Sequence, residues 1–207
     1  RPVRMLPPPE LPDEEEDGQL HWKVRWYCGK ERKCSLDSVA KAGVYYDAVT
    51  DRVHFPLAPV LLRPGCDGPL CTMSRTPSTT VKDWRFGPKE GLKERHWFNP
   101  VGLDPGPLTI VEGPFDVLAS GLLGKAVALC GTQLYEDCHY WFLQHRSSVA
   151  SVYLWMDPDA AGKAAAKKIQ KQLAGLVTVR VIDYEREPGD CTPEEVAEVL
   201  RECIRSD

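Results

Sequence analysis

The chain has 207 residues, of which 43% are hydrophobic and 27% charged, a composition typical of folded globular domains rather than of disordered chains. No stretch reaches the roughly 18 apolar residues that cross a bilayer, and the first residues lack the apolar core of a signal peptide. The sequence therefore disfavours a membrane or secreted protein and predicts a cytoplasmic one. The net charge of −4 conceals an uneven distribution of charge along the chain.

Residues 21–99 carry fourteen Lys and Arg against eight Asp and Glu, whereas residues 100–207 carry ten against sixteen. A basic half beside an acidic half suits a polyanion on one side and divalent cations on the other. Two ordinary solvated surfaces would have the same composition, and charge alone favours that interpretation.

The first part of the chain predicts a tail and a small basic subdomain. Residues 1–20 combine prolines with like charges and predict a flexible acidic tail. Ser35 begins a capped helix that runs through Ala42 and stops at Gly43, and residues 52–57 form a short strand. Pro, Gly and Ser crowd residues 56–91, which predicts small β-strands joined by loops. We place this basic α+β subdomain at residues 21–106.

Eight cysteines scattered over this length are too sparse for a disulfide scaffold and predict free thiols. The pairs Cys28 with Cys34 and Cys66 with Cys71 do not have the usual spacing of zinc knuckles. A zinc site that includes His21 stays open as an alternative, but thiols that bind nothing are favoured.

Residues 107–207 alternate strands with helices, the pattern of a parallel α/β sheet. The predicted strands cover residues 108–111, 126–130, 151–156 and 177–182. The predicted helices cover residues 115–123, 135–144 and 160–173, and a last helix opens at Pro193.

Acidic residues follow three of these strands. Glu112 follows the first strand, Asp157 and Asp159 the third, and Glu187 and Asp190 the fourth. Ligand sites in open parallel sheets lie outside the carboxyl ends of the strands, so these carboxylates should meet at one edge, where a cation would offset their repulsion. Mg²⁺ or Mn²⁺ is the natural candidate. For Glu112 or Asp159 taken alone, helix capping is the favoured explanation of an acid at this position.

The motifs resemble those of DnaG-type primases with a Toprim domain. Val111 to Asp116 resembles the glutamate motif of that family, Met156 to Lys163 its Asp-x-Asp motif with the following Ala-Gly helix, and Glu187 to Glu195 its third acidic motif, with Glu187 where relatives commonly have Asp. Leu129 to Thr132 looks like the strand that ends in Gly-Thr. Shorter likenesses in the basic part lie at residues 52–56, 74–75 and 97–99. The zinc-binding domain of the family has no clear counterpart.

The resemblance implies a Toprim fold and a primase, which makes short oligonucleotide primers on single-stranded DNA by metal-dependent nucleotidyl transfer. The implied partners are the template, nucleoside triphosphates and a replicative helicase, fused or separate. Glu112, Asp157 and Asp159 would be catalytic. The implied ligands of Mg²⁺ or Mn²⁺ are Glu112, Asp116, Asp157, Asp159, Glu187 and Asp190.

The basic candidates for binding nucleic acid or nucleotide form a separate set. They are Arg75, Lys82, Arg85, Lys89, Lys93, Arg95 and Lys163. Trp84, Phe86, Trp97 and Phe98 are available for stacking on unpaired bases, although each of them is equally well explained as a core residue.

Toprim domains also occur in nucleases and in binding scaffolds, so a fold and an acidic edge do not establish synthesis. The leading enzymatic alternative is a Toprim nuclease of the OLD type. The other alternative is a non-catalytic Toprim module that binds nucleic acid.

Overall fold

The computed structural model describes residues 20–61, 71–77, 83–87, 96–99, 101–149 and 151–205. The described residues form two four-stranded sheets, one antiparallel and one parallel, and a further pair of short strands. The predicted tail at residues 1–19, Cys66, and the basic residues Lys82, Lys89, Lys93 and Arg95 lie outside this description. Every helix in the described ranges is too short or too polar to cross a membrane.

The first part of the chain is mixed α and β. It begins with the short helix α1 (Trp22–Val24), a π-helix (Arg25–Glu31) and α2 (Leu36–Lys41). The strands that follow are β1 (Tyr45–Asp47), β2 (Arg52–Pro56), β3 (Ala58–Pro59), β4 (Thr72–Arg75), β5 (Arg85–Gly87) and β6 (His96–Trp97). Strands β1, β2, β4 and β5 make the antiparallel sheet in that order, and β3 pairs with β6.

The second part is the predicted parallel α/β layer. Its elements are β7 (Leu108–Val111), α3 (Pro114–Ala119), β8 (Ala126–Ala128), α4 (Glu136–His145), β9 (Ser151–Leu154), α5 (Ala160–Leu173), β10 (Thr178–Val181), a 3₁₀ helix (Pro188–Asp190) and α6 (Pro193–Arg205). The strand order is β10-β9-β7-β8, and all three pairings are parallel. The predicted α/β fold class is confirmed.

The local signals in the sequence explain most of these bounds. Ser35 caps α2, since its Oγ accepts a hydrogen bond from Ser38 N, and Gly43 ends the helix region with a φ of +65°, as predicted. Helix α3 ends four residues earlier than predicted, at Ala119. The Ser120 hydroxyl bonds back to the carbonyl of Asp116, and Gly121 at φ +73° turns the chain out of the helix.

One aromatic side chain joins the two parts of the chain. Phe115, in the first turn of α3, packs edge-on against Phe55 of β2 and Tyr27 of the π-helix, with ring centroids 5.2 and 5.7 Å apart. The same ring lies 5.8 Å from that of Trp84. A backbone bridge between Phe98 and Ala128 adds a second connection. The two parts thus share a hydrophobic core, and the division near residue 106 stays a prediction.

A buried ion pair organises the antiparallel sheet. Arg52 of β2 is only 4% exposed, and its Nη1 donates to Oδ2 of Asp83 at 2.8 Å. The guanidinium also donates to Oγ and the carbonyl of Ser74, at 3.0 and 2.9 Å. Burial of a charge is tolerated only when it is paired and hydrogen-bonded, and this network meets both conditions for Arg52.

We predict that Asp83→Ala lowers the free energy of unfolding by about 2 kcal/mol, because the substitution leaves the Arg52 charge buried without its carboxylate. Urea unfolding followed by circular dichroism measures the change. The control is Asp37→Ala, which removes an exposed partner of Lys41 and should change stability by less than about 0.5 kcal/mol. Equal losses in the two variants would contradict a structural role for the pair.

Candidate functional site

The parallel pairing of β10, β9 and β7 brings three acidic loops to one edge of the sheet. Glu112 directly follows β7, Asp157 lies three residues beyond the end of β9, and Glu187 lies in the loop after β10. All three residues are partly buried. Because neighbouring parallel strands end on the same side, the predicted convergence of these loops follows from the strand order.

Glu112 is not a helix cap. The N-cap residue of α3 is Gly113, and the carboxylate that bonds to its N–H is that of Asp116, with a distance of 2.7 Å. The carbonyl of Glu112 accepts from Gly131 N at 3.2 Å, which ties the Glu112 backbone to the loop after β8. The N-cap position that was considered for Glu112 thus belongs to Gly113, with Asp116 as the carboxylate partner.

Asp159 does serve as a cap. It is the N-cap residue of α5, and its Oδ1 accepts from Gly162 N at 2.7 Å. A carboxylate has a second oxygen, so capping and ligand binding are compatible for this residue. Gly162 is required here, because a Cβ at this position would lie 2.2 Å from the carbonyl oxygen of Asp157. The α5 backbone thus packs directly against the Asp157 loop.

The loop that carries Glu187 is held from both sides. The indole Nε1 of buried Trp155 donates to the carbonyl of Arg186 at 3.0 Å, which anchors the loop to the end of β9. Arg186 forms an ion pair with Glu195 of α6 at 2.8 Å. Asp190, predicted as an alternative ligand to Glu187, is exposed at the end of the 3₁₀ helix.

Asp116 is buried between these loops. It is 5% exposed, and its two oxygens accept from Gly113 N at 2.7 Å and Gly189 N at 3.1 Å. Burial, together with the negative charges of Glu187 and Asp157, raises the pKa of Asp116 to about 8 against the lowering effect of the two N–H donors. Asp116 therefore lies close enough to both Glu187 and Asp157 for each of their charges to disfavour its ionised form.

The donor set at this edge fits a hard divalent cation, because carboxylate oxygens are the ligands that Mg²⁺ and Mn²⁺ prefer. In the described part of the chain, however, no three His, Cys, Asp or Glu side chains are grouped closely enough to hold a metal ion. The metal-ligand roles of Glu112, Asp116, Asp157, Asp159, Glu187 and Asp190 accordingly stay predictions. Cys28, Cys34, Cys71 and His21, which were considered above for zinc, are among the described residues to which this finding applies.

A cavity of about 370 Å³ opens beside the third acidic motif. Arg32 and Lys33, just after the π-helix, line it together with Glu187 and Asp190. The guanidinium of Arg32 lies over the Phe115 ring, 4.8 Å from its centroid. These two basic residues were not predicted from the sequence to bind nucleotide. They directly precede Cys34 and Ser35, the N-cap residue of α2.

The basic residues predicted to bind nucleic acid are not all at the surface. Arg85 is exposed, whereas Arg75 is 4% exposed and its guanidinium packs over the rings of Tyr27 and Trp84. Lys163 is exposed and pairs with Asp183 at 3.1 Å. Arg75 is therefore placed as a core residue, which disfavours direct contact with a strand.

Two of the aromatic residues offered for stacking on bases are in the core. Trp97 is 2% exposed and Phe98 is fully buried, so the stacking role is wrong for both. Trp84 and Phe86 are partly buried and pack against the core. Buried aromatic rings contribute strongly to the stability of a hydrophobic core. The sequence pattern alone does not distinguish an aromatic residue of the core from one that stacks on a base.

Comparison with known proteins gives a family match for the second part of the chain and a fold match for nearly all of it. Residues 109–191 match the Toprim-like family, which includes all three acidic loops. The DnaG catalytic core superposes with a TM-score of 0.65 at 17% identity, over 89% of this chain and 72% of that one. No curated protein sequence matched the chain.

Two further primase structures have the same fold. The zinc-binding and RNA polymerase domains of the Aquifex aeolicus primase superpose with a TM-score of 0.64 at 19% identity, over 86% of this chain; the match spans just 54% of that one. The primase fragment of the bacteriophage T7 primase-helicase gives 0.62 at 16% identity, over 94% of this chain and 83% of the fragment. The chain thus has the fold of DnaG-type primase cores.

We predict that Gly162→Ala lowers the free energy of unfolding by about 2 kcal/mol, because the added methyl group collides with the Asp157 backbone and the loop must move. The matched control is Gly87→Ala, where a Cβ meets nothing within 4 Å. Chemical unfolding of the two variants tests this. Equal stability of both variants would show that the α5 start is not packed as tightly as described.

Proposed function

We propose that this Toprim-like domain and the basic subdomain before it act together as a DNA primase, synthesising short primers on single-stranded DNA during replication. The observation that carries the proposal is that three acid-bearing strand ends lie on one edge of a chain with the primase-core fold. The fold match extends over 89% of the chain, so it includes the basic subdomain. That extent favours a primase over the Toprim nuclease alternative.

The chemistry would be attack of a 3′-hydroxyl on the α-phosphate of a nucleoside triphosphate, with release of pyrophosphate. Bound Mg²⁺ or Mn²⁺ would neutralise charge on the attacking and leaving oxygens. Asp157, Asp159 and Glu187 or Asp190 would hold the ion. Glu112, which is not engaged as a cap, would join them or accept the hydroxyl proton.

Arg32 and Lys33 would hold the triphosphate, because they line the same cavity as Glu187 and Asp190 of the third acidic motif. Arg is suited to phosphate because its planar guanidinium donates two parallel hydrogen bonds. Arg85, Lys163 and the basic residues Lys82, Lys89, Lys93 and Arg95 would follow the template backbone through charge, which makes binding sensitive to salt.

The partners follow from the same proposal. The chain would bind a DNA template and nucleoside triphosphates in the cytoplasm and work with a replicative helicase. The T7 fragment with the same fold belongs to a primase-helicase protein, which supports a helicase partner here, either in one polypeptide or as a separate protein.

A second candidate is a non-catalytic Toprim module that binds nucleic acid. The observation in its favour is that no three metal-ligating side chains are grouped among the described residues. Incubating the protein with single-stranded templates, nucleotides and Mg²⁺ or Mn²⁺ separates the candidates on one gel. New short oligomers support the primase, shortened templates support a nuclease, and retention of template without either product supports the binding module.

We predict that Glu112→Gln lowers primer synthesis by at least about a hundredfold, since Gln keeps the shape but removes the charge and the proton acceptor. The melting temperature of the metal-free variant should be nearly unchanged. Glu136→Gln, at an exposed position in the first turn of α4, is the matched control. Synthesis near the wild-type rate by Glu112→Gln would show that neither the charge of Glu112 nor its capacity to accept a proton is needed for the reaction.

We predict that Arg32→Gln raises the KM for nucleoside triphosphate about tenfold or more, because a charged hydrogen bond to phosphate is lost. Steady-state incorporation at varied nucleotide concentration measures it. Lys41→Gln, a change of charge on the exposed end of α2, should leave KM unaffected. An unchanged KM in Arg32→Gln would place the triphosphate outside this cavity.

A further inference from the structure

We propose that Asp116 is a positioning residue that fixes the Glu112 loop and the Glu187 loop relative to each other, rather than a metal ligand. The inference rests on the function proposed above, because it concerns how that site is assembled. It replaces the ligand role that the motif resemblance implied for Asp116.

The Asp116 carboxylate joins two segments that are far apart in sequence. Its Oδ2 accepts from Gly113 N at 2.7 Å, and its Oδ1 accepts from Gly189 N, 73 residues away, at 3.1 Å. Gly113 directly follows Glu112, and Gly189 stands two residues after Glu187 and one before Asp190. One side chain therefore sets the spacing between the first and third acidic motifs.

The engagement of both oxygens argues against a ligand role. Each carboxylate oxygen already accepts a backbone N–H, and the residue is only 5% exposed. The backbone of Asp116 is fixed as well, since the Ser120 hydroxyl donates to its carbonyl. A ligand would instead need an oxygen directed into the open edge of the sheet, where Asp157 and Glu187 are partly exposed.

The surrounding glycines fit the same role. A Cβ on Gly189 would lie 3.0 Å from Asp116 Oδ1, and a Cβ on Gly113 would lie 3.4 Å from Oδ2. Contacts at 3.0 Å are tighter than side chains normally accept, so a larger residue at 189 would push the third motif away from Asp116. Gly189→Ala thus disturbs the same contact as a change at Asp116 while it keeps every carboxylate.

The experiment compares Asp116→Asn, Gly189→Ala, the double variant and Asp157→Asn in the metal-free protein and with Mn²⁺ alone. Asn presents an amide N–H to one of the two backbone N–H groups, so one of the two hydrogen bonds is lost. Hydrogen exchange is measured on peptides from residues 110–116 and 184–192, with an α5 peptide as the internal reference. Mn²⁺ affinity is measured by electron paramagnetic resonance.

If Asp116 positions the loops, Asp116→Asn and Gly189→Ala both speed exchange of the two loop peptides by about tenfold or more without metal, while α5 is unchanged. Both variants weaken Mn²⁺ binding by similar factors, and the double variant is no worse than either single one. Asp157→Asn weakens Mn²⁺ binding while the metal-free exchange of the loops stays as in the wild type.

The proposal is overturned if the loop exchange of Asp116→Asn matches the wild type in the metal-free state, or if Gly189→Ala keeps both its exchange pattern and its Mn²⁺ affinity. Should Asp116→Asn fail to fold, Gly189→Ala alone decides by these criteria. Absence of primers from the wild-type protein would instead count against the proposed function, and the exchange and Mn²⁺ measurements would still decide the role of Asp116.

Discussion

The candidate site depends on the crowding of like charges at one edge of a parallel sheet. Carboxylates carried by neighbouring strand ends repel one another, and burial makes the repulsion stronger because the local dielectric is low. The chain keeps them together with backbone contacts: Trp155 holds the carbonyl of Arg186, Asp159 caps α5, and Asp116 accepts the N–H groups of two loops. Each contact fixes the main chain beside an acid and leaves Glu112, Asp157 and Glu187 at the sheet edge.

The sequence predicted the parallel α/β layer well because its elements follow local rules. Strand β7 and helix α5 have the predicted bounds, since a compact apolar run and an Asp cap before an alanine-rich stretch are strong signals. The π-helix at Arg25–Glu31 was not anticipated. Tyr27 of this helix packs against Phe115, a contact between residues far apart in the sequence that local propensity does not register.

The site was predicted less completely than the fold. The order of the acidic motifs placed Glu112, Asp157 and Glu187 on one edge, but residue type alone did not tell an acid that binds a ligand from one that satisfies the backbone, as Asp116 and Asp159 do. The same limit applies to Arg75, Trp97 and Phe98, whose burial is decided by residues distant in the chain. Arg32 and Lys33 were missed because only the folded chain brings the end of the π-helix to the third motif.

Phe115 and Asp116 are consecutive residues in the first turn of α3, and their side chains contact different parts of the chain. The ring of Phe115 lies in the aromatic contact with the basic subdomain, while the carboxylate of Asp116 binds the loop of the third motif. A single helical turn thus links the subdomain that is proposed to bind the template with the loops that carry the proposed catalytic carboxylates. The turn is short and packed on both sides. Under the proposed function, a shift of the basic subdomain on binding the template would therefore reach the acidic loops through two adjacent side chains.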